Sequence, residues 1–329
     1  MKRKIMTGVA VAAILTAGLA TPAFADSYVV DGTSWNLQTT SAFGIDQAGD
    51  GENAAPYAAY AGDEYSLKVE DPSSPGNYLD LDCASPATAT VETDGDQLVD
   101  CNDPTSVLGG DLTWDADVKI FSGDYAGLVG RVTYVLTNAS GSPLTLNLRY
   151  LVDTEECNQG VGNISTSTGD LVTDNTDSWL LCNNNNKSLE GIAWGDNWAT
   201  DVSNESLQLN PTTCDECYID SNGFALGAGQ TVTLVFFLYA EGATDHGASY
   251  GTTDVAQTAN MTSYFDVTTL GSTRLWEGLT TADNWTLTSS STDAPALANT
   301  GLDVSALVLA AFALAGLGAV LIVRRRAKA

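Results

Sequence analysis

The chain has 329 residues, and its 41 acidic against 13 basic side chains give a formal net charge of −28 at neutral pH. A field of that sign opposes binding to nucleic acid and to anionic lipid, because each phosphate contact needs a cation. The length is ample for a large hydrophobic core.

Residues 1–25 have the pattern of a secretory signal peptide. A basic start, KRK, precedes an apolar stretch that is too short to span a membrane comfortably. Ala23 and Ala25 then place small residues three and one before a cut, which predicts cleavage ahead of Asp26. An uncleaved N-terminal anchor is the alternative interpretation.

The exported body, residues 26–285, has the composition of a β-protein. It is rich in Thr, Val, Gly, Asn and Asp, and no long segment repeats with the period of a helix. We therefore predict an all-β, extracellular antiparallel β-sandwich, as one large domain or two abutting ones. Short strand candidates bounded by turn-forming residues are 34–39, 65–69, 88–92, 111–121, 178–181, 206–209 and 264–268.

Two segments carry the strongest strand patterns. Residues 131–152 alternate apolar and polar side chains on both sides of the turn NASGSP, which predicts a β-hairpin with one buried face. Residues 230–240, QTVTLVFFLYA, become apolar on both faces from Leu234 onward. That pattern predicts a central strand.

All six cysteines lie in the exported body, and an even number outside the cell predicts three disulfides. The pairs expected from sequence proximity are Cys83–Cys101, Cys157–Cys182 and Cys214–Cys217. The Cys-x-x-Cys spacing of the last pair also suits a redox or a zinc site. The acidic residues between those sulfurs disfavour a lowered thiol pKa, and a single histidine leaves zinc short of ligands.

Three acidic loops, 79–83, 92–103 and 167–177, are of the kind that supplies oxygen ligands to calcium. In the second of them the candidate ligands are Asp94, Asp96 and Asp100. None of the loops matches the full EF-hand pattern, and Asp-rich turns are ordinary in acidic β-proteins. We therefore expect no resident cofactor, with calcium as the one candidate.

The candidate residues for ligand binding or catalysis are few. Trp179, Trp194 and Trp198 lie close together and would offer a stacking surface for sugars if exposed, although burial in the core is the expected arrangement. The single histidine, His246, argues against catalysis by a nucleophile and a histidine. A carboxylate pair acting on a glycan stays an alternative, but forty acidic residues in 26–300 single out no pair. We expect a binding or structural protein rather than an enzyme.

The C-terminal end has four parts in a fixed order. A Ser/Thr/Pro-rich linker, 286–296, precedes the pentapeptide LANTG at 297–301. The apolar run 304–323 follows, and twenty helical residues span about 30 Å, the thickness of a hydrocarbon core. The basic tail 324–329 then keeps the C-terminus on the cytoplasmic side, so the body between the signal and the span lies outside the cell.

The pentapeptide consists of Leu297, Ala298, Asn299, Thr300 and Gly301. Pentapeptide, apolar span and basic tail together resemble the cell-wall sorting signal of Gram-positive surface proteins, whose common form is Leu-Pro-x-Thr-Gly. The alanine in second place is similar to the Leu-Ala-x-Thr-Gly variant handled by class E sortases of actinobacteria. The resemblance implies that a sortase thiol attacks the Thr300 carbonyl, that Gly301 and the tail leave, and that a cell-wall amine resolves the acyl-enzyme.

The resemblance also implies the partners and the location of the protein. The partners are a sortase and peptidoglycan, and the mature protein is anchored to the cell wall after passing through a membrane-anchored precursor. Its role is then adhesin-like binding of a glycan or protein, or a structural one, with no nucleic acid involved. A single-pass surface protein that is never cleaved at the pentapeptide is the alternative.

Overall fold

A computed structural model describes residues 26–38, 42–50, 65–153, 163–169, 173–184, 188–204, 216–242 and 255–287. These residues form sixteen β-strands and one α-helix, α1 (Val255–Tyr264), together with short 3-10 turns. In chain order the strands are β1 (Asp26–Val30), β2 (Thr33–Gln38), β3 (Gly44–Asp50), β4 (Tyr65–Glu70), β5 (Tyr78–Asp80), β6 (Cys83–Val91), β7 (Gln97–Pro104), β8 (Leu112–Phe121), β9 (Val129–Asn138), β10 (Leu144–Asp153), β11 (Asn163–Thr166), β12 (Trp179–Asn184), β13 (Ser188–Ala193), β14 (Asp201–Asn204), β15 (Glu216–Leu226) and β16 (Thr231–Gly242).

The strands form two antiparallel sheets, which confirms the predicted all-β architecture. Sheet A has the order β1-β2-β3-β4-β10-β15-β14, and β5 also pairs with β4. Sheet B has the order β11-β12-β13-β16-β9-β8-β7-β6. Within the described ranges each sheet therefore has eight strands.

The inner faces of the two sheets pack against each other around the main core. The ring of Tyr150 in sheet A stacks on the ring of Phe236 in sheet B, with centroids 3.9 Å apart. The buried hydroxyl of Tyr134 in sheet B donates to the carbonyl oxygen of Phe43 at 2.5 Å and accepts the amide of Leu67 at 3.2 Å. Aromatic packing and buried hydrogen bonds thus join the sheets.

A third layer covers part of the outer face of sheet B. This layer, which we call the cap, consists of residues 255–287: helix α1 and the turns that follow it. Apolar side chains of the cap and of the sheet form a second core, namely Phe121, Val129, Trp179, Leu181, Ala193, Val235, Phe237, Tyr239, Met261, Phe265, Leu270, Leu275, Trp276, Ala282 and Trp285. The cap explains why β16 is apolar on both faces, and the predicted central strand is confirmed between β13 and β9.

The predicted hairpin over 131–152 is wrong, although both of its strands exist. Strand β9 pairs with β8 and β16 in sheet B, whereas β10 pairs with β4 and β15 in sheet A. Each of these two strands is therefore hydrogen-bonded to other strands along both of its edges. The turn between them crosses from one sheet to the other, and the buried Asn138 fixes it by donating to the carbonyl oxygens of Ser142, Leu226 and Gly227 at 2.8–3.0 Å.

The shorter strand predictions differ in their outcome. Five of them fall on β2, β4, β6, β8 and β12. The segment 264–268 is not a strand, because Tyr264 ends helix α1 and the carboxylate of Asp266 accepts from the amide and hydroxyl of Thr268 to form a turn. The segment 206–209 lies outside the described residues.

The described body ends at Leu287, where the chain divides into the compact unit Met1–Leu287 and the unit Thr288–Ala329. In the part of the chain that the structure describes, no helix is long and apolar enough to cross a membrane. The predicted span, 304–323, lies outside that part.

Candidate functional site

Two of the three predicted calcium ligands meet in the turn that joins β6 to β7. Carboxylate oxygens of Glu92, Asp94 and Asp96 lie within 4.8 Å of one another. The ammonium of Lys119 lies 2.6 Å from Oε2 of Glu92 and 3.3 Å from Oδ2 of Asp96. Arg274 of the cap bonds to Oδ1 of Asp96 and lies 3.4 Å from Oδ2 of Asp94. The acidic turn therefore already faces two cations of the protein itself.

Asp96 is the fully buried centre of this turn. Burial alone would raise its pKa, but the amide of Ser122, Arg274 and Lys119 together hold the pKa below its ordinary value. Burial lowers the pKa of Lys119, but Glu92 and Asp96 raise it by more, so that the pKa lies above its ordinary value. Asp96 and Lys119 are thus charged near neutral pH. Their ion pairs, with those of Arg274, tie β8 and the cap to the β6–β7 hairpin.

The carboxylates of the other two acidic loops also bond to groups of the protein. In the loop 167–177 the buried Asp177 accepts from the hydroxyl of Ser167 and from the amide and hydroxyl of Thr168, each at 3.0 Å. In the loop 79–83, Asp80 pairs with Lys68 at 2.8 Å and Asp82 accepts the amide of Ala42 at 2.8 Å. These carboxylates therefore already have partners within the protein. Calcium binding stays a prediction.

The third predicted ligand, Asp100, lies elsewhere, on the part of the outer face of sheet B beside the cap. It is directly opposite Asp117 of β8, and Asp115 stands two residues from Asp117 on the same face. Directly opposed like charges destabilise a sheet, so this grouping needs a physical reason.

The electrostatics of this acidic patch, Asp100, Asp115 and Asp117, differ from those of the turn. Burial raises the pKa of Asp117 to about 6, Arg131 opposes the shift and Asp100 adds to it. Burial, Asp115 and Glu92 likewise raise the pKa of Asp100. Asp117 is therefore partly protonated at mildly acidic pH.

The side chains around Asp117 leave polar atoms unpaired. Thr133 of β9 is directly opposite Asp117 and lies near enough to lower its pKa, but the two do not reach hydrogen-bonding geometry. Oδ1 of Asp117, Oγ1 of Thr133 and Nε of Arg131 are buried and have no hydrogen-bond partner among the described residues. The other end of the Arg131 guanidinium donates to the cap carbonyls of Leu275 and Glu277 at 2.9 and 2.8 Å.

The tryptophans do not form a sugar-stacking platform. All seven fall within the described residues and are buried, at no more than 6% exposure. Trp194 is fully buried and its indole N–H donates to the carbonyl of Asp177 at 2.8 Å. Trp198 is 3% exposed and donates to the carbonyl of Ile219 at 3.3 Å. The expected core position is confirmed for both residues, and for Trp179.

One predicted disulfide is present. Cys83 of β6 and Cys101 of β7 are bonded, with Cα atoms 5.7 Å apart. Cys157 and Cys214 lie outside the described residues, so the pairs Cys157–Cys182 and Cys214–Cys217 stay predictions.

Most of the predicted signal-cleavage and sorting residues also lie outside the described residues. Ala23 and Ala25 are among them, as is the whole pentapeptide 297–301, whereas Asp26 begins β1. The residues that sequence reasoning missed are Asp115, Asp117, Arg131 and Thr133. A signal was available, because β8 reads LTWDADVKIF with Asp115, Asp117 and Lys119 on alternate positions of one face.

Neither a protein-family model nor a curated protein matches the sequence. Solved structures similar to the chain include a protein assigned as an aldose 1-epimerase from Klebsiella pneumoniae, with a TM-score of 0.40 and 8% identity over 65% of this chain and 78% of that one. A galactose mutarotase related enzyme from Lactobacillus acidophilus has a TM-score of 0.32 and 8% identity, over 70% of this chain and 99% of that one. A TPR-domain containing protein from Parabacteroides distasonis has a TM-score of 0.36 and 10% identity, over 64% of this chain and 45% of that one. This chain therefore spans less than half of the length of that protein. TM-scores this low do not establish a common fold, and nothing about function follows from them.

Proposed function

We propose that this chain is an exported surface protein that a sortase attaches covalently to the cell wall through Thr300, with an adhesin-like binding or structural role. The observation that carries the proposal is the order of LANTG, apolar span and basic tail at positions 297–329, behind an N-terminal signal pattern. A membrane span and a basic stop would hold the pentapeptide at the outer face of the membrane, where a sortase acts.

One feature of the described body supports export. The Cys83–Cys101 bond is of the kind that forms and persists in an oxidising compartment.

Digestion of cell walls with a muramidase, followed by mass spectrometry of the released protein, tests the attachment. We expect a C-terminal peptide that ends at Thr300 and carries a wall-peptide fragment. A Thr300→Ala variant should abolish that species while leaving the signal peptide cleaved. Recovery of detergent-soluble chains alone, with Arg324–Arg326 retained, would show the uncleaved membrane protein instead.

One observation favours a second candidate, a carboxylate-pair hydrolase acting on glycans. Asp117 has a pKa of about 6 and stands directly opposite Asp100, and glycosidases use one protonated and one ionised carboxyl. Reducing-end release from polysaccharides at pH 5–7 tests it. Hydrolysis that is lost in both Asp117→Asn and Asp100→Asn would establish the enzyme, and its absence leaves the binding or structural role.

A further inference from the structure

Strand β6 forms one edge of sheet B, and part of it lacks the usual protection of an edge strand. Among the described residues β6 pairs with β7 alone. Residues 88–91, which we call the free edge, are uncharged and are all exposed. Edge strands are ordinarily protected by charged side chains, by proline or by a bulge. In β6 both Pro86 and the irregular register lie before Thr88, so the free edge stays open to pairing.

The backbone of the free edge directs hydrogen-bonding groups into solvent at two residues. The amide of Glu92 donates across the β6–β7 turn to the carbonyl of Asp96 at 2.8 Å. Residues along an antiparallel pair alternate between those that bond to the partner strand and those that do not. Thr90 therefore bonds to β7, whereas Ala89 and Val91 direct both their N–H and their C=O groups away from it.

An apolar side chain lies beside these backbone groups. Val91 is 67% exposed, and among the described large apolar side chains only Val29 of β1, at 70%, is comparably exposed. Ala89 points to the same face as Val91, because side chains two residues apart on a strand share a face. A strand added at the free edge would therefore cover apolar surface as well as pair backbone groups, which is how sheet edges bind extended peptides.

The charges beside the free edge indicate which kind of strand would bind there. The acidic patch begins on the next strand, where Asp100 is directly opposite Thr88, and continues to the exposed Asp115 of β8. The described lysines and arginines are all buried or half-buried. A second copy of this chain would bring the same carboxylates to the edge, and like charges brought together at an interface are costly. A segment with lysine or arginine side chains would instead be attracted.

We infer that the free edge of β6 binds an extended, cationic peptide segment of a partner protein, which adds to sheet B as a further strand. The main chain of the segment pairs with Ala89 and Val91, and its apolar side chains cover Val91. Its cationic side chains extend over Thr88 and Thr90 toward Asp100. The inference rests on the binding role proposed above and gives it a partner class, but it does not depend on attachment to the wall.

The test uses residues 26–300, which contain the whole described body. The probe is the end-capped peptide VKVKVKV, whose alternation places valines on one face and lysines on the other. A titration followed by amide NMR should find binding with a dissociation constant of about 1 mM or tighter. The binding should weaken as NaCl is added, and the matched anionic peptide VEVEVEV should not bind.

Amide hydrogen exchange separates strand addition from mere attraction to an acidic surface. Peptide at about ten times its dissociation constant should slow exchange of the Ala89 and Val91 amides about tenfold, because that occupancy leaves about a tenth of the edge open. The Thr90 amide, which is bonded to β7, should change little. Ala89→Pro removes an outward donor at a position where an edge strand tolerates proline. It should abolish the slowing at Val91 and keep Thr90 protected.

Val91→Lys and Val29→Lys make the same change at two valines of similar exposure on different edge strands. The first places a cation at the free edge and removes its apolar side chain, so it should weaken binding of VKVKVKV about tenfold. The second lies on β1 at the edge of sheet A and should bind as the unaltered protein does.

Four results would overturn the inference. They are unslowed exchange at Ala89 and Val91, equal binding of VEVEVEV, equal weakening by Val29→Lys, and slowing that needs no peptide but grows with protein concentration. The last would show that a second copy of this chain occupies the edge. None of these results bears on Thr300, so the wall attachment is judged separately by muramidase digestion.

Discussion

The side-chain amide of Asn284 hydrogen-bonds both backbone groups of Val235. Its Oδ1 accepts the Val235 amide at 2.9 Å and its Nδ2 donates to the Val235 carbonyl at 2.6 Å. The last pair between β13 and β16 is Ala193 with Phe237, so β13 no longer covers the edge of β16 at Val235. Asn284 takes the place of a strand residue there, and it also donates to the carbonyl of Trp194 at 2.9 Å. Hydrogen bonds from the side chain of Asn284 thus replace strand pairing at Val235 and join the cap to β16.

Replacing Asn284 should therefore loosen the cap as a whole. Asn284 is fully buried, and Asn284→Ala leaves the Val235 amide and the Trp194 carbonyl without their partners. We expect a loss of about 3 kcal/mol in the free energy of unfolding and a fall of roughly 10 °C in melting temperature. Urea unfolding and calorimetry of residues 26–300 measure both quantities.

The matched control is Asn197→Ala. Asn197 is exposed and its side chain makes one 3.2 Å bond to the carbonyl of Asp283, so its loss should cost well under 1 kcal/mol. Equal effects of the two substitutions would mean that Asn284 does not hold the cap on β16.

The burial of every tryptophan predicts how the native protein fluoresces. Acrylamide should quench the native emission weakly and the emission of the guanidinium-unfolded protein strongly, because none of the seven tryptophans is more than 6% exposed in the folded state. Trp194→Ala should cost about 3–5 kcal/mol by opening a cavity. A native quenching constant close to that of the unfolded chain would contradict the core positions of these rings.

Much of the architecture could be predicted because it depends on local pattern. The two-sided apolar run of β16 and the pairing of the nearby Cys83 and Cys101 needed no information about distant segments. The hairpin prediction failed because an alternating pattern looks the same whether consecutive strands pair or cross between sheets. The partners that decide this are β8 and β16 for β9, and β4 and β15 for β10, and of these four strands β8 alone is next to its partner along the chain.

The acidic patch could not be predicted as a group for a related reason, although Asp115 and Asp117 stand at alternate positions of β8. Asp100 and Asp117 belong to strands separated by an irregular connection, and the register that opposes them follows from packing and not from spacing. Arg131 was visible only as a cation on a predicted strand. Its burial depends on the cap, a segment whose helix the composition of the body gave no reason to expect.

The ion cluster around the acidic turn predicts a weak response to calcium. Lys119 and Arg274 already pair with Glu92, Asp94 and Asp96, so calcium should stabilise residues 26–300 no more than NaCl of equal ionic strength does. NaCl itself should raise the melting temperature by screening the excess of acidic side chains. A calcium effect beyond the matched salt would instead establish an ion site, as the sequence analysis allowed.

Removing one cation of the cluster should reverse that behaviour. Arg274→Gln leaves the fully buried Asp96 with Lys119 as its remaining cation, which should cost about 3–5 kcal/mol and allow calcium to recover part of the loss. Differential scanning fluorimetry with calcium, with NaCl and with a chelator measures this. A variant as stable as the unaltered protein would show that the Arg274 pair is too well solvated to matter.

The pKa of Asp117 makes stability depend on pH in a direction opposite to that of a salt-bridged carboxylate. Burial and Asp100 raise this pKa from its ordinary 3.8 to about 6, while Arg131 opposes them. Between about pH 4 and pH 6 the folded state therefore holds a proton that the unfolded state has released. Stability from this group is fully present below about pH 4, falls as the pH rises to about 6, and stays lower above that.

The substitution Asp117→Asn isolates this contribution, because a neutral amide has no proton to lose. The variant should gain stability relative to the unaltered protein between pH 4 and pH 7, by up to about 3 kcal/mol for a shift of about two pKa units. Comparing the two proteins at each pH removes the general repulsion among the other carboxylates, which both share. Urea unfolding at pH 4, 5, 6 and 7 gives the difference, and a carboxyl-carbon NMR titration gives the midpoint directly. A midpoint near pH 4, or a difference in stability that does not change with pH, would mean that Arg131 and solvent keep Asp117 ionised like an ordinary surface aspartate.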